Sequence, residues 1–237
     1  MNRSLSITAL ILLITVAFCC VASAQRRPPA SYETTTVTLF ESHGEPAIQA
    51  VLRFGMASRI PLGLILADDS LCRAQIDLRV VNQSAAKALD ALVSRLTGYV
   101  WTVRDGFVIV QPRELPQASL SVLNMVIPRF AAPEGPLKEQ QLYLWMDIRA
   151  ILRPEEGTLL NLVTSPREPK AAAIELRNAS VEQILARLVS RAPIGAWVLF
   201  PVSEDLKRAA AHQLAILIQY GEDTKNIRTV TCRPPNY

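Results

Sequence analysis

The sequence predicts an α+β fold made of two tandem small β-α-β-β-α-β modules, followed by a C-terminal helix and strand. Three features predict it: a segment that occurs twice, an alternation of strand-like and helix-like patterns, and a length of 237 residues, which suits two domains of about 100.

The repeated segment runs from a strand into a helix and then to a tryptophan. Its copies span 76–101 and 174–197. The two Leu-Arg pairs are 98 residues apart, whereas the Ser-Arg pairs and the tryptophans, Trp101 and Trp197, are 96 apart. A repeat of this length indicates a duplicated domain. We expect the second copy to lack two residues between strand and helix.

Residues 1–24 have the pattern of a secretory signal peptide. Arg3 precedes an apolar stretch, and a small-x-small site predicts cleavage between Ala24 and Gln25. The apolar stretch is shorter than the roughly 20 residues that a membrane-spanning helix needs. We therefore expect a secreted or periplasmic protein with no stable transmembrane segment after cleavage. A retained N-terminal anchor is the alternative if cleavage fails.

The first module is expected over 33–112, after a polar linker at 25–32. Pro46 suits the first turn of a helix, and Ser84 supplies a cap for the next one. Asp105-Gly106 predicts a tight hairpin. The predicted strands, at 33–40, 62–67, 74–81, 100–103 and 107–110, are β-branched, alternating or continuously apolar, and the helices open at 46 and span 85–96.

The second, divergent module is expected over 119–203, after a proline-containing linker at 113–118. Ser180 and Gln183 form a capping-box pattern at its second helix. Its predicted strands are 120–127, 159–163, 171–176 and 195–202, and its helices are 137–152 and 180–189, with 131–136 as a loop.

The remaining residues, 204–237, predict an amphipathic helix to Tyr220 and a final strand at 227–232. We expect this C-terminal segment either to complete the sheet of the second domain or to pack across both domains.

Charge and cysteine content narrow the function. The net charge of +4 is dispersed, with no run rich in lysine and arginine, so we expect no nucleic-acid partner. Cys19 and Cys20 belong to the signal peptide. Cys72 and Cys232 remain and predict one disulfide in an oxidising compartment, with two free thiols as the alternative.

No convincing catalytic, metal or cofactor site is evident. Ser84 and Lys87 match S-x-x-K, in which a serine at a helix start faces a lysine one turn later. The companion motifs of penicillin-recognising enzymes are missing, so we interpret Ser84 as a helix cap. A serine hydrolase of cell-wall-type substrates remains the alternative. His43 and His212 stand alone, without the spacing of metal ligands.

The residues from Pro46 to Val110 resemble the short N-terminal domain shared by secretins and TonB-dependent receptors. The second copy resembles it more faintly over 176–198. The resemblance rests on Ile60-Pro61-Leu62-Gly63, Leu78-Arg79-Val80-Val81-Asn82, Ala88-Leu89-Asp90-Ala91-Leu92, Leu96-Thr97-Gly98-Tyr99-Val100-Trp101 and Phe107-Val108-Ile109-Val110.

The resemblance implies a periplasmic α+β module that contacts partner proteins. We therefore expect a non-enzymatic interaction module of the bacterial cell envelope, docking on a protein of a secretion, transport or signalling assembly. A structural brace in an envelope complex is the alternative. Strand pairing at 60–67 or at a terminal strand is the expected docking mode. Trp101 and Trp197 occupy equivalent strand positions, which favours core or domain-face packing for both, whereas an exposed tryptophan would indicate a binding surface.

Overall fold

A computed structural model of the chain describes residues 34–104, 106–152, 170–191, 195–201 and 216–220. The fold is α+β, as predicted. The signal peptide, the first linker, the strands predicted at 159–163 and 227–232, and His212 all lie outside the described residues.

The first half of the chain follows the predicted order, with one addition, a short helix after the second strand. Its elements are β1 Thr36–Pro46, α1 Ala47–Ala57, β2 Leu62–Ile65, α2 Ser70–Arg73, β3 Gln75–Ser84, α3 Ala85–Val93, β4 Tyr99–Arg104 and β5 Phe107–Pro112.

The second half begins with a helix rather than a strand. Its described elements are α4 Gln117–Leu123, β6 Val126–Ala132, β7 Gly135–Pro136, α5 Leu137–Leu152, β8 Lys170–Ala171, β9 Ile174–Ser180, α6 Val181–Ser190, β10 Gly195–Leu199 and β11 Ile216–Tyr220.

Three local predictions for the second half are wrong. The strand expected at 120–127 is instead α4 followed by β6, because Ala118, Ser119, Val122 and Leu123 lie on one buried face at helical spacing. The loop expected at 131–136 contains the end of β6 and all of β7. The helix expected to reach Tyr220 gives way to β11, which pairs antiparallel with β10.

One five-stranded sheet contains strands from both sides of the linker predicted at 113–118. Its order is β11-β10-β2-β5-β4. The central β2 runs parallel to both β10 and β5, while β11 and β4 pair antiparallel with their neighbours. Strand β2 is therefore the middle strand of the sheet. The prediction that 60–67 offers a docking edge is wrong, since β5 and β10 occupy both sides of β2.

The sheet is covered on both faces. One face, with Leu64, Val110 and Val198, packs in a core with α1 and α3. The opposite face, with Ile109, Trp197 and other apolar residues, packs in a second core with α5, α6, β6 and β9. Burial on both faces explains why β2 and β10 are continuous apolar runs, with every residue buried, rather than alternating ones.

A tryptophan lies directly over a glycine at the centre of this sheet. Trp197 and Gly63 are register partners in the β10–β2 pair. A β-carbon added to Gly63 would lie 2.3 Å from Cζ2 of Trp197, which is closer than packed atoms can approach. The indole also stacks on Phe107, with ring centroids 6.5 Å apart. Glycine at 63 is therefore what allows the fully buried Trp197 to lie flat across β2.

Two antiparallel ribbons, β1–β3 and β6–β9, have matching registers. Phe40 pairs with Val80 in the first, and Phe130 pairs with Leu176 in the second. Both phenylalanines are buried. Each ribbon is tied to the following helix in the same way: the Ala85 N–H donates to Thr35 O at 2.7 Å, and the Val181 N–H to Met125 O at 3.0 Å.

The matching registers correct one prediction about the repeat. Val80-Val81 occupies the ladder positions that Leu176-Arg177 occupies in the second ribbon, so the two Leu-Arg pairs are not equivalent. The predicted loss of two residues between strand and helix is wrong.

An asparagine turns each ribbon toward its helix. Asn82 has φ of 47° and Asn178 has φ of 50°, the left-handed region that asparagine tolerates better than most residues. Each stands two residues before a capping serine, Ser84 or Ser180. The shared backbone conformation accounts for asparagine at both positions.

We predict that Gly63→Ala destabilises the protein by about 1–3 kcal/mol, because the added methyl group overpacks the contact with Trp197. Urea unfolding followed by circular dichroism measures the change. Trp197→Leu removes the obstacle, so the double variant should lose less stability than the sum of the two single variants, by more than about 0.5 kcal/mol. Strict additivity would contradict this contact.

Candidate functional site

Strand β4 forms one end of the five-stranded sheet in the described part of the chain. Its inner side pairs with β5 from Tyr99–Pro112 to Arg104–Phe107. An edge strand presents backbone donors and acceptors to a further strand. The outer edge of β4 is therefore the candidate docking site.

The register identifies which backbone groups face outward. Hydrogen-bonded and non-hydrogen-bonded pairs alternate along an antiparallel ladder. Gly98 and Arg113 form a hydrogen-bonded pair, because the Arg113 N–H donates to Gly98 O at 2.8 Å. Even-numbered residues of β4 therefore bond to β5, and odd-numbered residues face away from it. The Tyr99 N–H already donates to Leu96 O at 3.1 Å. The outward groups are those of Trp101 and Val103, and the Val103 side chain is 44% exposed.

An open groove of about 480 Å³ lies beside the first half of this edge. Its walls are the end of α3 and the start of β4, with Trp101 and Arg113 among the lining residues. The Trp101 indole N–H donates to Asp90 Oδ1 at 2.8 Å. This bond fixes a partly exposed aromatic side chain beside the free edge, which is an arrangement that suits peptide binding.

Arg104 anchors the far end of β4 to the other half of the chain. Its guanidinium donates to both carboxylate oxygens of Glu182 on α6, at 2.8 and 3.2 Å, and to Gln111 Oε1 at 2.7 Å. The Glu182 side chain is only 17% exposed. A partly buried ion pair of this geometry orients the hairpin rather than adding much stability.

Tyr99 closes the base of the groove. Its phenol oxygen accepts the Ala67 N–H at 3.1 Å, so β4 is tied to the residues that follow β2. Burial raises the pKa of the Tyr99 phenol above its ordinary value of 10.0, the bond from Ala67 opposes this shift, and the Asp68 carboxylate adds to it.

The two ribbons differ on their outer faces. Leu39 and Val81 are cross-strand partners on the first ribbon and are 54% and 45% exposed. The corresponding partners on the second ribbon are Arg129 and Arg177, both within ion-pair distance of Glu175, at 3.2 and 3.5 Å. At this cross-strand position the first ribbon is apolar and the second is charged, although Glu41 and Arg79 form an ion pair of 3.0 Å further along the first ribbon's outer face.

The serine of the S-x-x-K motif caps α3, as predicted. Ser84 Oγ accepts the backbone N–H of Lys87 at 3.4 Å. Ser180 and Gln183 form the predicted capping box on α6, with bonds of 2.9 and 3.2 Å. The serine at each helix start is used in the same way, which is the capping interpretation of the motif.

Other predicted site residues are placed as follows. Cys72 is disulfide-bonded, while Cys232, Ala24 and Gln25 lie outside the described residues, so the Cys72–Cys232 pairing and the cleavage site stay predictions. His43 lies 3.8 Å from the Glu41 carboxylate, on the ribbon surface. The Asp68 side chain accepts the Ser70 N–H at 2.7 Å, at the start of α2.

The described residues contain no group of three or more His, Cys, Asp or Glu placed to hold a metal ion. None of their helices has both the length and the apolar character to span a membrane.

The sequence did not assign a binding role to this edge. Core or domain-face packing was the favoured expectation for both tryptophans, with a binding surface only where one is exposed; Trp101 is partly exposed and Trp197 is fully buried. Asp90, Val103 and Arg113 were not identified. Asp90 lies eleven residues before Trp101, so their contact depends on how α3 packs on β4 and leaves no local sequence signal.

No protein-family model matches this chain, and no curated protein or solved structure matches it.

We predict that Tyr99→Phe lowers the free energy of unfolding at pH 7 by about 1 kcal/mol, because the Ala67 N–H loses its acceptor. A raised pKa in the folded state gives a stabilisation that is complete below pH 10.0 and is lost as the pH rises through the folded pKa. The difference between the two proteins should therefore shrink above pH 10.0. Urea unfolding from pH 7 to pH 11 measures it, and a constant difference would contradict the assignment.

Proposed function

We propose that this chain is an exported, non-enzymatic protein-docking module of the bacterial cell envelope, which engages a protein of a secretion, transport or signalling assembly. The outer edge of β4 is the docking site. The observation that carries the proposal is an edge strand with outward backbone groups at Trp101 and Val103, beside a groove that holds Trp101 in place through Asp90. Main-chain pairing at a sheet edge is a common mode of peptide recognition.

The module organisation is part of the proposal. Two units like the short N-terminal domain of secretins and TonB-dependent receptors, over 33–112 and 119–203, would share one central sheet. Support comes from the equal registers of the two ribbons and from the equivalent strand-to-helix hydrogen bonds. A duplicated unit explains why both sheet faces carry a core with helices packed against it.

Export is the third part of the proposal. The signal-peptide pattern of residues 1–24 supports it. The disulfide at Cys72 supports it too, because disulfides persist in oxidising compartments such as the periplasm.

We predict that Val103→Lys abolishes capture of the partner. The immobilised protein is incubated with envelope extract of the source cells, and retained proteins are identified by mass spectrometry. A lysine on an edge strand blocks the approach of a further strand. Val126→Lys is the matched control, since Val126 is also a strand valine and is 54% exposed.

A protein retained by the wild type and the control, and at least tenfold less by Val103→Lys, is the expected result. Equal retention by all three proteins would show that the β4 edge is not the docking site. Circular dichroism of each variant verifies that the fold is intact.

We also predict that the exported protein begins at Gln25 and carries a Cys72–Cys232 disulfide. Intact mass measured with and without reductant tests both points, because reduction adds two hydrogen atoms per bond. The Cys72→Ser variant should show no change in mass on reduction. A mass that includes residues 1–24 would contradict cleavage.

A further inference from the structure

The second half of the chain contains a strand equivalent to β4 whose outer edge is occupied. β10 follows α6 as β4 follows α3, and Trp197 stands in β10 where Trp101 stands in β4. Each strand forms an antiparallel hairpin with the next, β11 or β5. On its other side β10 pairs with β2, whereas β4 has no second neighbour in the described sheet.

The occupied edge shows what a strand at this position looks like. β2 runs parallel to β10, and its glycine, Gly63, lies opposite Trp197. The Leu66 N–H donates to Leu199 O at 2.9 Å. Leu199 is the equivalent of Val103, one of the two residues whose backbone groups face outward on β4. Equivalent residues therefore direct their backbone groups to the outer edge in both strands: Leu199 in β10 and Val103 in β4.

From this equivalence we infer that the β4 edge takes an extended peptide segment that runs parallel to β4 and places a glycine opposite Trp101, between apolar residues. The inference rests on the proposed function and defines the chemistry of the partner. At the equivalent position on β10, a β-carbon on Gly63 would lie 2.3 Å from Trp197, and we expect the same selection for glycine opposite Trp101. The apolar neighbours follow from Leu62 and Leu64, which flank that glycine.

A second copy of this chain fits the edge less well. Two β4 strands related by a two-fold axis perpendicular to the sheet would pair antiparallel. The occupied edge of β10 is parallel, so a segment from another protein is the favoured occupant.

The test uses a peptide with the sequence of residues 60–67, Ile-Pro-Leu-Gly-Leu-Ile-Leu-Ala, flanked by lysines for solubility and labelled with fluorescein. Fluorescence anisotropy measures its binding to the purified exported chain. We expect saturable binding that weakens at least tenfold when valine replaces the glycine of the peptide. Val103→Lys should weaken binding at least tenfold, and Val126→Lys should not. Val103→Pro, which removes an outward N–H, is the second variant in case the lysine disturbs folding.

A photo-crosslinker at the N-terminal end of the peptide determines the orientation. Parallel pairing places it near Tyr99, and antiparallel pairing places it near Arg104.

Three results would each overturn the inference: cross-links near Arg104 or on β10, equal binding of the glycine and valine peptides, or binding that Val103→Lys leaves unchanged. Partner capture that depends on Val103 while the two peptides bind equally would overturn the inference and leave the proposed function standing. Capture independent of Val103 would overturn the assignment of the docking site to the β4 edge, and the inference with it.

Discussion

The parallel pairing of β2 with β10 is the constraint on which the rest of the described structure depends. It joins a strand from the first half of the chain to one from the second half. It is possible only because Gly63 leaves room for the Trp197 indole. The pair divides the apolar residues into two cores, one on each face of the sheet. Because β2 is paired on both sides, the described sheet ends in β11 and β4, and the outer edge of β4 is the candidate docking site.

Some of this could be predicted from the sequence, and the rest depends on distant contacts. Ser84 and the apolar stripe that follows it define α3 locally, and the pairing of Arg104 with Phe107 matches the hairpin expected there. The run at β2 indicates a buried strand but carries no information about its neighbours. The pattern leading to Tyr220 fits a helix by itself, and pairing with β10 makes its last five residues a strand. Tertiary contacts override local propensity there.

The candidate site was only partly predictable, because its exposure also depends on contacts between distant parts of the chain. Trp101 and Trp197 hold equivalent positions in the sequence repeat, yet one is fully buried and the other is partly exposed. Only the strand order distinguishes them, since β10 has a neighbour on each side and β4 does not. The corresponding exposed pairs of the two ribbons also differ, with Leu39 and Val81 on the first and Arg129 and Arg177 on the second. Inward positions are restrained by packing, whereas outward positions are free to change.

The late position of β10 has a consequence for how the chain reaches its final state. During synthesis, the first half emerges with one side of β2 open, and that side stays open until β10 has followed. Pairing two strands so distant in sequence slows folding, and until β10 arrives the unpaired edge of β2 is prone to aggregation. A holding chaperone would be most useful to this protein in that interval, before Trp197 has packed against Gly63.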